Sequence, residues 1–169
     1  MRVPTATDIR VVGATAFLHP ITARVPLKFG TEVLTGVQLA HVELEVVDRH
    51  GRRARGTGET PLNVQWAWPS PSPYGDRLEA MVALCRSLVD AWAGCEVWGH
   101  LDRHVLPRQM TAGLPRLAAL VCNSPFDLAL HDAYGQLHGV DVYDTYGPAW
   151  MNRDLASYFE DDRSAPRFA

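Results

Sequence analysis

No apolar run in this sequence approaches the ~18 residues that a membrane-crossing helix needs, and the start, MRVPTATDIR, lacks the basic-then-apolar order of a secretory leader. Cysteine is scarce. Cys85, Cys95 and Cys122 are odd in number and show no CxxC pairing, which argues for a reducing compartment and against a disulfide framework or a structural zinc site. Neither sign of charge dominates: the net charge is −3, the pI is near 6.1, and Lys and Arg are dispersed instead of gathered on a stripe. That balance speaks against nucleic acid or an anionic membrane as partner. Internal repeats and long low-complexity segments are also missing. What remains is a chain of 169 residues, 47% hydrophobic, expected to be cytoplasmic and to fold around one core. At this size about 70% of the unfolded surface can be buried.

Period-two patterning fills the first third. Ile9 to Leu18 is apolar on both parities, so it reads as a central strand covered on both faces. His19 to Thr35 holds two prolines, a glycine and no lasting period, which predicts a loop broken by short extended pieces. Gln38 to Asp48 alternates, with Ala40, Val42, Leu44 and Val46 on one side and His41, Glu43 and Glu45 on the other. Arg52 to Thr60 places Ala54, Gly56 and Gly58 opposite Arg53, Arg55, Thr57 and Glu59. Matching small with apolar and Arg with Glu pairs Val46 with Ala54 and Glu45 with Arg55. A three-residue loop, Arg49, His50 and a left-handed Gly51, satisfies that register. Gly56 and Gly58 lack the third glycine and the following helix of a dinucleotide fingerprint, so they predict close approach of another backbone.

Pro61 to Tyr74 holds four prolines and reads as a second loop. Its Trp66 and Trp68 are either tucked under the domain as anchors or presented at a binding surface. From Gly75 to Ala93 the residues Leu78, Met81, Val82, Cys85, Leu88, Val89 and Trp92 share one helical stripe, with Gly94 as the stop. Cys85, in mid-stripe, reads as a small core hydrophobe. Trp98 to Gln109 is a shorter helical piece with His100 and His104 on one face. Leu101 stands where a zincin needs its glutamate, so no metal is expected there. Pro115 to Cys122 predicts an apolar turn or short helix, and Pro148 to Ala169 turns polar, with Glu160, Asp161, Asp162 and Arg163 clustered.

The most specific pattern is Val121 to Gly147, VCNSPFDLALHDAYGQLHGVDVYDTYG. Ser124 suits an N-cap, Pro125 the first helical position, and Asp127 can close a capping box. Phe126, Leu130, Ala133, Tyr134 and Leu137 form a buried stripe, and Gly139 can take the left-handed conformation that ends a helix. His131 and Asp132 are neighbours, but adjacent helical residues point apart, and structural roles are expected for both.

Ser124, Pro125, Phe126, Asp127, Ala129, Leu130, Asp132, Gly135, Gly139, Tyr143 and Gly147 together resemble the closing helix of the N-terminal domain in mandelate racemase and muconate lactonizing enzyme relatives, within the enolase superfamily. The GTGET run is similar to the superfamily's G-x-G-E. The resemblance implies an α+β cap, a three-stranded antiparallel sheet followed by a helical half, over residues 1–147, with 148–169 a polar tail or the start of a linker. The family's barrel needs roughly 200 residues or more, far more than follow Gly147 here, so it is expected to be absent.

By the same resemblance, His19 to Thr35 is a lid over an active site. Arg24 and Lys28 then face an anionic substrate, Ile21 and Phe29 exclude water, and Trp66 and Trp68 sit on a second loop reaching the same place. The full-length family uses magnesium to abstract the proton α to a carboxylate, in racemases, cycloisomerases and sugar-acid dehydratases. Its bases and metal ligands lie on barrel strands, so no catalytic residue and no cofactor is expected in this chain. A small carboxylate or sugar-acid substrate is expected only together with a barrel. The alternative is a non-catalytic interaction module or truncated gene product reusing the cap fold. A truncated enzyme exposes the apolar surface that meets the barrel, whereas an adapted module is polar there or uses that face in a homo-oligomer.

Overall fold

The computed structural model describes residues 6–29, 32–93 and 113–151. Three antiparallel strands come first: β1 (Ile9–Phe29), β2 (Glu32–Asp48) and β3 (Arg53–Pro61), in the order β1-β2-β3. A single helical turn α1 (Val64–Ala67) and the helices α2 (Tyr74–Ala93) and α3 (Arg116–His138) follow, then a 3-10 turn at Val142–Thr145. The architecture is α+β, a sheet with one face covered by helices.

The central strand is β2, and β1 lies at the edge, which corrects the expectation for Ile9 to Leu18. A bulge explains why that stretch is apolar on both parities. Val11 pairs with Val46 and Gly13 with Glu45, so Val12 is an extra residue and the inward parity switches. Ile9 and Val11 are buried before it, whereas Ala14, Ala16 and Leu18 pack on the core after it.

The β2–β3 hairpin has the expected register, Glu45 with Arg55 and Val46 with Ala54. Gly51 is left-handed at φ 81°. The Asp48 carboxylate closes the turn, accepting from the backbone N–H groups of His50 and Arg52, both at 2.9 Å, and from Arg52 Nε at 2.7 Å.

Gly56 and Gly58 lie directly under α3. A Cβ on Gly56 would stand 2.1 Å from the Ala133 nitrogen, and one on Gly58 2.1 Å from the Pro125 carbonyl oxygen. Only a bare backbone allows that approach. Asp132 then reaches over the sheet edge, where its carboxylate accepts from the Thr57 N–H at 2.8 Å and from Gln136 Nε2 at 3.0 Å.

The helical half departs from expectation at one end of α3. The helix begins at Arg116 and runs through Pro125, so Ser124 caps nothing and instead accepts a hydrogen bond from the Thr60 hydroxyl at 3.1 Å. An interior proline costs a helix about 3 kcal/mol. Burial of Ala118, Ala119, Val121 and Cys122 ahead of it, from about 0.8 kcal/mol for an alanine methyl to roughly 2 for the valine, offsets that cost. The far end is as expected, with Gly139 left-handed at φ 68°. Between α2 and α3, Trp92 stacks on Phe126 with ring centroids 6.0 Å apart, and its indole N–H donates to Asn123 Oδ1 at 3.0 Å. The stop at Gly94, the piece from Trp98 to Gln109 with His100 and His104, and the cluster Glu160 to Arg163 lie outside the described residues. Among the described residues no helix is long and apolar enough to cross a membrane.

Candidate functional site

β3 ends at Pro61 opposite Leu39, and the Leu62 N–H still donates to the Gln38 carbonyl at 2.8 Å. Beyond Gln38 only β1 and β2 continue, as a two-stranded ribbon extending about 20 Å past the three-stranded sheet. The segment from His19 to Thr35 is therefore mostly strand, not the loop that its prolines suggested. Pro20 pairs with Gln38 on the free edge of the sheet, where no partner asks for its missing N–H. Pro26 falls in the irregularity between Thr22 and Leu27, where pairing lapses.

The ribbon displays apolar side chains to solvent: Ile21, Val25, Leu27 and Val33 are 46%, 62%, 58% and 55% exposed. Arg24 is exposed within the unpaired stretch, and exposed Lys28 faces Val33 across the ribbon. Phe29 closes β1 opposite Glu32, at the margin of the described residues.

The second loop leaves from the same end of the sheet. Its prolines did not prevent a helical turn: Asn63 caps α1 by accepting from the Trp66 N–H at 3.0 Å, and all four prolines lie outside Val64–Ala67. The two tryptophans divide the alternatives left open by the sequence. Trp68 is half-buried against the core, and its carbonyl accepts from Arg77 Nη1 at 2.5 Å, whereas Trp66 stands out from α1, half exposed. Ribbon and α1 thus frame one end of the sheet with apolar side chains beside two cations.

A second apolar surface runs along α3, and the sequence reading did not single it out. Leu117, Leu120 and Leu128 lie within one helical face, and all three are exposed. Beside them His131 Nδ1 lies 2.8 Å from the Asp127 carbonyl and 3.8 Å from its carboxylate, with the Tyr146 ring 5.9 Å from the imidazole. Burial raises the Asp127 pKa, opposed by the charge of His131. Burial, then the charges of Asp127 and Tyr143, raise that of Tyr146. The signal for this surface was the 117, 120, 128 spacing, hidden because Ser124 and Pro125 suggested a helix start between its members.

Chemically, these surfaces offer apolar side chains and, on the ribbon, the cations of Arg24 and Lys28. Asp132 is spent on Thr57 and Gln136, and His131 on Asp127, as expected for structural roles. Among the described residues no three His, Cys, Asp or Glu side chains gather as a metal-ligand set.

No family model matches the chain, and no curated protein matches it. Solved structures do match. A variant of L-talarate/galactarate dehydratase liganded with magnesium and L-glucarate is similar with a TM-score of 0.50 and 18% identity, over 88% of this chain and 35% of that one. The chain has the fold of an enolase-superfamily domain. The L-Ala-D/L-Glu epimerase from Bacillus subtilis matches with a TM-score of 0.48 and 16% identity, over 82% of this chain and 34% of its own. An enolase from Bradyrhizobium complexed with magnesium and mandelic acid matches at 0.43 and 22%, over 80% and 34%. The chain spans about a third of the length of these structures.

Proposed function

We propose that this chain is the N-terminal capping and substrate-specificity domain of a mandelate racemase/muconate lactonizing enzyme-like protein, acting with a barrel that carries the metal and the base. The observation that carries the reading is the ribbon: an extension beyond the core with four exposed large apolar side chains, on the same end of the sheet as Trp66. A surface of this kind is worth displaying where something closes on it. On a barrel, Ile21 and Trp66 exclude water from a bound small carboxylate or sugar acid, and Arg24 and Lys28 attract its charge. Magnesium, held by the barrel, would stabilise the enolate. The cap contributes binding and closure, and the isolated chain is inert. The alternative of an adapted, non-catalytic module ranks second, because exposed Leu117, Leu120 and Leu128 would then have to be covered in a homo-oligomer.

The test is to express this cap joined to a barrel, using any reading frame that continues past Ala169 or a barrel supplied as a separate piece. Lys28→Ala and Trp66→Ala should raise KM several-fold and leave kcat nearly unchanged. Turnover of a hydroxy or sugar acid by the purified 169-residue protein with magnesium, free of contaminating enzyme, overturns the proposal. So does a barrel-joined protein in which neither substitution moves KM.

A further inference from the structure

Two thiols that capping does not use meet across the α2–α3 contact. Cys85 and Cys122 are both buried. The Cys85 thiol points at the Cys122 carbonyl, Sγ to O 3.8 Å, and the Cys122 thiol at the Met81 carbonyl, Sγ to O 3.5 Å. In an α-helix the carbonyl of residue 81 bonds the N–H of residue 85, so the Met81 oxygen marks the turn that carries Cys85. Each sulfur therefore rests against the other cysteine's stretch of backbone. Side-chain hydrogen bonding between the two thiols, together with burial and the mutual repulsion of their charged forms, also holds the Cys122 thiol far above its ordinary pKa, which keeps it protonated and unreactive while the helices stay closed.

We propose that Cys85 and Cys122 are a dithiol that closes to a disulfide on exposure to a small-molecule disulfide, joining α2 covalently to α3. One cysteine thiolate attacks a sulfur of the small disulfide, forming a mixed disulfide and expelling one small thiolate. The second cysteine thiolate attacks the protein sulfur of that mixed disulfide and expels the other. The two thiol protons pass to the two expelled thiolates, so the protein loses two electrons and the small disulfide is reduced to two thiols. Neither sulfur is exposed, so the exchange runs through brief openings of the α2–α3 contact. Re-closure then returns Cys85 to Cys122.

The test uses the full chain and its Cys95→Ser variant, each equilibrated with excess oxidised glutathione in urea below the unfolding transition and trapped by acid and alkylation. The expected result in both is a loss of two hydrogens in mass, a non-reduced peptide linking positions 85 and 122, and a higher thermal midpoint that reductant reverses. Cys122→Ala should show no such midpoint shift. The same oxidation of the full chain in fully denaturing urea should favour the shorter loop between Cys85 and Cys95. Cys85 joined to Cys95 as the main product below the transition overturns the proposal. Separate glutathione adducts on Cys85 and Cys122 in the Cys95→Ser variant do the same.

Discussion

At the scale of single residues, the strongest constraints come from atoms that are missing. With 2.1 Å between an added Cβ and the α3 backbone, neither Gly56 nor Gly58 has room for a methyl group, and the obstacle is main chain that cannot rotate away. Gly58→Ala should therefore cost at least ~2 kcal/mol of unfolding free energy in urea melts, while alanine at Gly13, whose nearest neighbour would be 3.7 Å away, should be far milder. Two aspartates predict opposite responses to pH. At Asp48 burial raises the pKa, but hydrogen bonds from the Arg52 side chain and the Arg52 and His50 backbones together outweigh it, and the net shift is downward. Its stabilisation is present above the ordinary aspartate pKa of about 4 and is lost as pH falls through the lower folded value. Asp127 is shifted upward, so its ionisation costs stability as pH rises through the folded value. Asp48→Asn should lower the thermal midpoint at pH 7 and Asp127→Asn should raise it; the Asp127 difference should shrink once pH falls below the ordinary aspartate value of about 4, and the Asp48 difference only as pH falls further, through its lowered folded value. Equal effects at neutral and acid pH would show that side-chain shape, not charge, is responsible.

At the scale of elements, the core hairpin was legible and the ends of its neighbours were not. Alternation from Ala40 to Val46 and the charge match of Glu45 with Arg55 define β2, β3 and their three-residue turn, because each residue there has one face and one partner. β1 was misread as central since a bulge at Val12 produces, along one edge strand, the same double parity as burial on both faces. α3 was misread at its start because Ser124 and Pro125 satisfy the local rules for a beginning, while the burial that overrides them depends on α2 and the sheet. The candidate surfaces were legible in part. The prolines and tryptophans located the two projecting segments, but the outward direction of Trp66 and the inward direction of Trp68 follow from tertiary contacts. The ribbon's isolation makes a further prediction. Backbone amides of residues 21–29 and 32–37 lack a third strand and should exchange with solvent well before those of 40–46 under native conditions. Equal protection along β2 would show that something else covers the ribbon.

At the scale of the whole molecule, the apolar side chains of the described residues include the buried core, the exposed ribbon and the outer face of α3. Among the described residues, the large side chains of the last two stand exposed. Replacing Leu117, Leu120 and Leu128 together with glutamine should leave the thermal midpoint within a few degrees of the parent, while lowering any self-association seen by sedimentation at high concentration. A large loss of stability would place those leucines in the core after all. The ribbon has a different consequence, for how such a chain changes over generations. Its strands pair with each other and with little else, so inserting or removing two residues in each would change its reach by about 7 Å while keeping every side chain on its original face. Length at the tip is thereby uncoupled from the fold at the base. One part of the molecule can be rewritten to meet a new ligand while Gly56, Gly58 and the helix above them stay as they are.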